Sequence, residues 1–156
     1  MNVVLFQPEI PANTGNIIRL CANTGSTLSL IRPFGFVLDD RKLLRAGLDY
    51  HEFVAVRSYD SLEECLAAMP EQGRVFAATS KGTALPSEAC FAMDDVLVFG
   101  RETSGLPDDF VASLPAEQRI RIPMVPDSRC YNLANAAAIL IYEAWRQCGF
   151  AGAAGI

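Results

Sequence analysis

Six short apolar runs, separated by segments of helical pattern, constrain the fold of this chain more than any other feature. The runs VVLF (3–6), TLSLI (27–31), FVAV (53–56), VFAAT (75–79), VLVFG (96–100) and RIRIP (119–123) are rich in β-branched or aromatic residues and bounded by turn residues, which predicts strands. Helical patterns lie between them at about 14–24, 39–46, 60–69 and 107–114, and a longer one closes the chain at about 132–147. Strands alternating with helices predict an α/β fold, a mostly parallel sheet with helices on both faces. The chain has 156 residues, which fits a single domain over 1–156. Hydrophobic residues make up 51% and charged residues 20%, enough apolar material for a core and inconsistent with a disordered chain.

Several classes are excluded early. The longest apolar stretch, AAAILIY, is far shorter than the ~18 residues a membrane span needs. The start, MNVVLFQPEIP, lacks a basic segment followed by a small-residue cleavage site, so no signal peptide is expected. Five scattered cysteines without a C-x-x-C pair, and a single histidine, His51, argue against a disulfide framework and against a metal site. A reducing cytoplasmic setting is expected. The net charge of −5 argues mildly against a nucleic-acid partner, but of 13 basic residues only Lys42 and Lys81 are lysine. Arginine is the residue suited to two-pronged phosphate contact, so a local cluster remains compatible with RNA.

Near the start, IPANTGNIIRLCANTG (10–25) brackets one arginine between two Asn-Thr-Gly triplets. Asn13 or Thr14 is suited to cap the helix, and Gly25 to end it in the left-handed region. Asn16, Arg19 and Asn23 recur at i, i+3 and i+7, so they share the side opposite the apolar stripe. Two amides and an arginine suit a ligand better than a solvated face, although caps and a surface charge would use the same residues.

Two later loops follow strands. In LVFGRETSGLP, Gly100 and Gly105 frame one carboxylate, Glu102; Leu106 stands where a phosphate-binding loop needs lysine. No G-x-G-x-x-G occurs, against a dinucleotide fold. In IRIPMVPDSRCYNLANA, Pro123 and Pro126 stiffen the chain, and Asp127, Ser128 and Asn132 offer hydrogen bonds at a helix start, where backbone amides suit a ligand's polar edge. The helix that follows is apolar on more than one face, so it needs burial nearly all round; a subunit interface would supply what a domain this small lacks.

Three segments together, NTGNIIR (13–19), FGRETSGL (99–106) and IPMVPDSRCYNLANA (122–136), resemble in order and spacing the three motifs of the SPOUT class of RNA methyltransferases. The resemblance covers nearly the whole chain. It is strongest to the small single-domain members that methylate the ribose 2′-oxygen of the tRNA wobble nucleotide, which AGLDYHEF (46–53) and AEQRIRIPMVPDSR (116–129) also resemble. It implies a C-terminal trefoil knot, S-adenosylmethionine held by the knot loops, and a homodimer formed through the last helix, with the tRNA anticodon stem-loop, of leucine tRNAs in particular, as substrate.

By position, the resemblance implies a cofactor pocket lined by Ala78, Thr79, Gly100, Glu102, Gly105, Ile122, Met124, Cys130 and Leu133. Asn13, Asn16 and Arg19 would face ribose and phosphate from the partner subunit, and Arg41, Lys42, Arg45 and Arg129 would add RNA contacts. Arg19, Glu102 and Tyr142 are the catalytic candidates. Arg19 keeps its proton at neutral pH, so its expected role is to hold phosphate and stabilise charge developing on the 2′-oxygen, with Glu102 orienting the loop or Arg19. The family commonly carries serine at 130 and a small polar residue at 134; here stand Cys130 and Ala134. Two other readings share the sheet: a non-catalytic RNA-binding module and a nucleotide-binding oxidoreductase.

Overall fold

The computed structural model describes residues 1–36 and 56–155. Its strands are β1 (Asn2–Phe6), β2 (Thr27–Ile31), β3 (Val56–Tyr59), β4 (Val75–Ala78), β5 (Val96–Phe99) and β6 (Arg119–Ile120). They form one sheet in the order β3-β2-β1-β5-β4-β6, every pairing parallel. The sequence-predicted α/β architecture is therefore present. β1 is central, with Val3 in register with Leu28 on one side and Leu97 on the other.

Side chains alternate between the two faces of a strand, and the core divides accordingly. Val3, Leu5, Leu28, Leu30, Leu97 and Phe99 pack on one face against Ile17, Ile18 and Cys21 of α1 (Pro11–Thr24) and Ala137, Leu140, Ile141 and Ala144 of α4 (Leu133–Gln147). Val4, Ile31, Ala77, Val96 and Val98 face the other way, toward Leu62 and Cys65 of α2 (Leu62–Ala67) and Val111 of α3 (Asp108–Ser113). Burial on both faces explains why β1 and β5 read as unbroken apolar runs rather than alternating ones.

Four expectations need adjustment. α1 begins three residues earlier than its pattern, at Pro11, with Ile10 in the cap position and no side-chain cap. Proline suits the first helical position because its missing N–H would be unpaired there anyway. Asn13 and Thr14 thus lie inside the first turn, both buried, and Asn13 is released for another task. The last strand is two residues, not five, because β4 ends at Ala78 and offers no further edge; Arg121 N–H instead donates to Ala84 O at 2.8 Å. The described strand β3 starts at Val56, the last residue of the predicted run 53–56, whose remainder lies outside the described residues, as do the helical pattern 39–46 and AGLDYHEF (46–53). Finally, α4 is buried along one stripe only within this chain: Ile139 is 39% exposed and Tyr142 57%, so one chain does not supply the all-round burial its apolar count calls for.

The helix ends are well specified. Gly25 adopts φ 63° after α1 and Gly149 φ 65° after α4, as expected for left-handed C-terminal glycines. Asn132 caps α4, accepting from Ala134 N–H at 2.9 Å. β6 lies beyond β4 at the sheet edge, yet α4, which follows it, returns to pack on α1 and β5. That return path fits the knot implied by the resemblance.

Candidate active site

The turn after β5 is closed by its own backbone. Arg101 N–H donates to Gly105 O (3.1 Å) and Gly105 N–H to Arg101 O (3.0 Å). A Cβ on Gly100 would sit 2.2 Å from the Gly105 carbonyl carbon, and Gly105 itself holds φ +72°. Both glycines are therefore demanded by the turn, which gives the G-x-x-x-x-G spacing a physical reason.

This turn is clasped to the chain leaving β1. Glu9 N–H and Ile10 N–H donate to the Glu102 carboxylate at 2.8 and 3.1 Å. In return, Thr103 N–H (3.0 Å) and the Thr103 hydroxyl (2.8 and 2.9 Å to the two oxygens) donate to the Glu9 carboxylate. The Thr103 hydroxyl, and then its N–H, hold the Glu9 carboxyl below the usual carboxylate range. Asn13 Nδ2 is a third donor to Glu102, at 3.0 Å, while Asn132 Nδ2 donates to Asn13 Oδ1 at 2.9 Å. One chain of hydrogen bonds, Asn132 to Asn13 to Glu102, thus links all three sequence motifs. With three N–H donors on its oxygens, Glu102 orients loops.

In an open α/β sheet ligands favour the crevice at the carboxyl ends of the strands where strand order reverses, here between β1 and β5. The Glu9–Thr103 and Glu102–Ile10 hydrogen bonds bridge that crevice. A cleft of about 460 Å³ opens one strand further over, above β5, β4 and β6, a size suited to a small-molecule ligand. Ala78 and Thr79 border it from β4, Gly100, Glu102 and Gly105 from the closed turn, and Ile122, Met124, Cys130 and Leu133 from the segment entering α4. All nine residues expected around the cofactor thus surround one cleft. Asn13 of the substrate group borders it as well.

The other predicted residues lie elsewhere. Asn16 and Arg19 are exposed on the outer side of α1, together with Asn23. Arg129 is exposed beside Cys130. Tyr142 does not line the cleft; it stands on the exposed stripe of α4, its ring 5.6 Å from Phe150. One chain therefore does not gather the three catalytic candidates around the cleft. Arg41, Lys42 and Arg45 lie outside the described residues.

The sequence reading missed Ile10 on the cleft wall and the pair Lys81–Asp108 at its rim (2.6 Å). The pair joins the loop after β4 to the first residue of α3, 27 residues apart, for which no short-range signal exists. Among the described residues no cluster of His, Cys, Asp and Glu side chains could hold a metal ion, and no described helix is long and apolar enough to cross a membrane.

The chain belongs to the SpoU rRNA Methylase family, whose model matches residues 1–142. It is 57% identical over 153 residues to the tRNA (cytidine(34)-2′-O)-methyltransferase of Escherichia coli K12, covering 98% of this chain and 97% of that protein. Among solved structures, one concerned with 2-OH methylation of C/U34 on tRNA superposes with a TM-score of 0.86 at 46% identity, covering 95% of each chain. The SpoU methyltransferase AviRb from Streptomyces viridochromogenes, in complex with AdoMet, shares the fold at 23% identity (TM-score 0.78), over 95% of this chain and 57% of that one.

Proposed function

We propose that this chain is an S-adenosylmethionine-dependent enzyme that methylates the ribose 2′-oxygen of the wobble nucleotide, cytidine or a modified uridine, in the tRNA anticodon. The observation that carries this reading is the end-to-end similarity to a tRNA cytidine(34) 2′-O-methyltransferase, joined to a cleft that all nine expected cofactor residues surround. Leucine tRNAs are the proposed substrates and the cytoplasm the proposed location, with the 156 residues acting as one domain.

The cleft fits the cofactor chemically. Ile122, Met124, Leu106 and Leu133 offer an apolar wall for a purine ring, and the backbone of the Gly100–Gly105 turn offers donors and acceptors for its edge. When bound there, the cofactor supplies an electrophilic sulfonium methyl group. The protein's task is alignment, worth up to ~7–11 kcal/mol of the barrier in well-oriented systems. Glu102 and Asn13 hold the turn and the start of α1 in fixed relation, and α1 carries Arg19 on its exposed side. Arg19 would hold the RNA phosphate and stabilise charge on the 2′-oxygen.

Because Arg19 and Tyr142 stand away from the cleft of their own chain, the reading includes a homodimer in which the α4 stripe of Ile139 and Tyr142 is covered and the partner's α1 faces the cleft. Arg19→Lys keeps the charge and loses the fork. In a methyl-transfer assay on unmodified tRNA it should lower turnover at least tenfold, with cofactor affinity within twofold of the parent. Unchanged turnover would remove Arg19 from the mechanism, and a parent enzyme that transfers no methyl group would favour the RNA-binding module instead.

A further inference from the structure

We infer that Arg101 forms a subsite for a phosphodiester group of the RNA, at the carboxyl ends of β1 and β5. Four described arginines, Arg57, Arg101, Arg121 and Arg129, donate no side-chain hydrogen bond and make no ion pair, whereas Arg32, Arg74 and Arg146 each hold a carboxylate and Arg119 binds backbone carbonyls. Of those four, Arg57, Arg121 and Arg129 are exposed to solvent; Arg101 alone is half-buried. A half-buried arginine that holds neither a carboxylate nor a carbonyl keeps its N–H donors available to a ligand.

The position is also specific. The Arg101 guanidinium lies over the Phe6 ring, 5.7 Å from its centroid, a contact that holds the fork beside the end of β1. Phe6 ends β1, and the next residue, Gln7, turns the chain with φ 48° and donates through Nε2 to Arg32 O at 3.0 Å. The platform under the guanidinium is therefore anchored. The nearby Glu9 carboxylate senses the positive charge, but Thr103 occupies both its oxygens. What remains is a set of N–H donors, held beside Phe6, of the kind that pairs with an anion carrying two oxygens.

Phosphodiester and carboxylate both have that geometry. The placement favours the phosphodiester. Arg101 borders the cleft at its β1 margin, with its guanidinium over Phe6, across β5 from the wall formed by Ala78, Ile122 and Met124. It thus stands at the edge of the cleft, away from the apolar wall proposed for the purine ring. This inference rests on the methyl-transfer reading in taking RNA as the partner.

The test measures binding of an anticodon stem-loop RNA by fluorescence anisotropy, without cofactor, over a range of salt, and cofactor affinity separately by calorimetry. Arg101→Met keeps an aliphatic stem on Phe6 and removes the charge. It should weaken RNA binding about tenfold, as loss of one charge-assisted contact does, and lower the slope of log affinity against log salt by ~0.7. Cofactor affinity should stay within twofold. Arg101→Lys should retain the slope and recover part of the affinity. RNA affinity and slope equal to the parent's would overturn the subsite, as would a loss of cofactor affinity with RNA binding intact, which would assign the fork to the cofactor's carboxylate. A second arm needs no variant: one neutral methylphosphonate linkage flanking the wobble nucleotide should weaken binding by the parent about tenfold, and indifference to every such linkage would overturn the proposal. A parent protein that binds this RNA but never methylates it would remove the activity reading and leave the Arg101 comparison to decide the subsite.

Discussion

Asn13 can accept through Oδ1 and donate through Nδ2, and the fold uses both, toward Asn132 and Glu102. Its side chain is 5% exposed, so water cannot replace either bond. Asn13→Ala should lower unfolding free energy by ~1–3 kcal/mol, measured by urea denaturation, and weaken cofactor binding in parallel; an unchanged midpoint would show that the linkage carries no stability. Cysteine reactivity tests the cleft. Cys90 and Cys130 are exposed, and Cys21 is buried, where desolvation pushes its thiol up to about 12. A thiol reagent should label Cys90 and Cys130 in the native protein and Cys21 only on unfolding. S-adenosylmethionine should protect Cys130, which lines the cleft, and not Cys90. Equal protection of both, or of neither, would displace the cofactor from this cleft. Two loops of the cleft were legible because they turn on glycines and prolines, which mark a sequence; the individual lining residues came from the resemblance of their motifs to a known family. The relay through Asn13 was not: its two bonds span 89 and 119 residues, and at short range an asparagine at the start of a helical pattern reads as a cap.

At the level of elements, the strands were read from apolar runs, and the errors fall at edges. RIRIP has the alternation of a strand throughout, yet only Arg119 and Ile120 pair, since strand length depends on a neighbour that the local pattern does not contain. α4 illustrates the converse. Its apolar residues announced burial, but Ile139 and Tyr142 face outward within one chain. The last turn of α4 has its own pH dependence. Arg146 foremost, and then Gln147, donate to Glu143 and hold its carboxyl at about 2, below its ordinary 4.5. A carboxyl whose folded value is depressed adds stability above its unfolded value and loses it as pH falls toward the folded one. The contribution is therefore present above about pH 4.5 and disappears toward pH 2; exposure of Arg146 keeps it small. Glu143→Gln should flatten the decline of the thermal midpoint across that window, and a decline as steep as the parent's would place the acid sensitivity elsewhere.

For the whole molecule, the parallel sheet fixes where the cleft opens, and the proposed dimer would complete it. The proposed dimer would cover the exposed stripe of α4 and bring Tyr142 and Arg19 to the partner's cleft. Ile139→Asp places a charge in the middle of that stripe. Light scattering should then report a monomer and methyl transfer should fail, while cofactor binding, whose residues come from one chain, persists in part. A dimer that survives this change would need another interface. The wider claim is that a cleft joined by Asn13 and closed by the Gly100–Gly105 turn serves one reaction. Its most direct measurement is ribose-methylation mapping of leucine tRNA incubated with the purified protein and isotopically labelled S-adenosylmethionine. The account predicts one labelled methyl group, on the 2′-oxygen of the wobble nucleotide. A label on a base, on another ribose, or nowhere in the tRNA would contradict it.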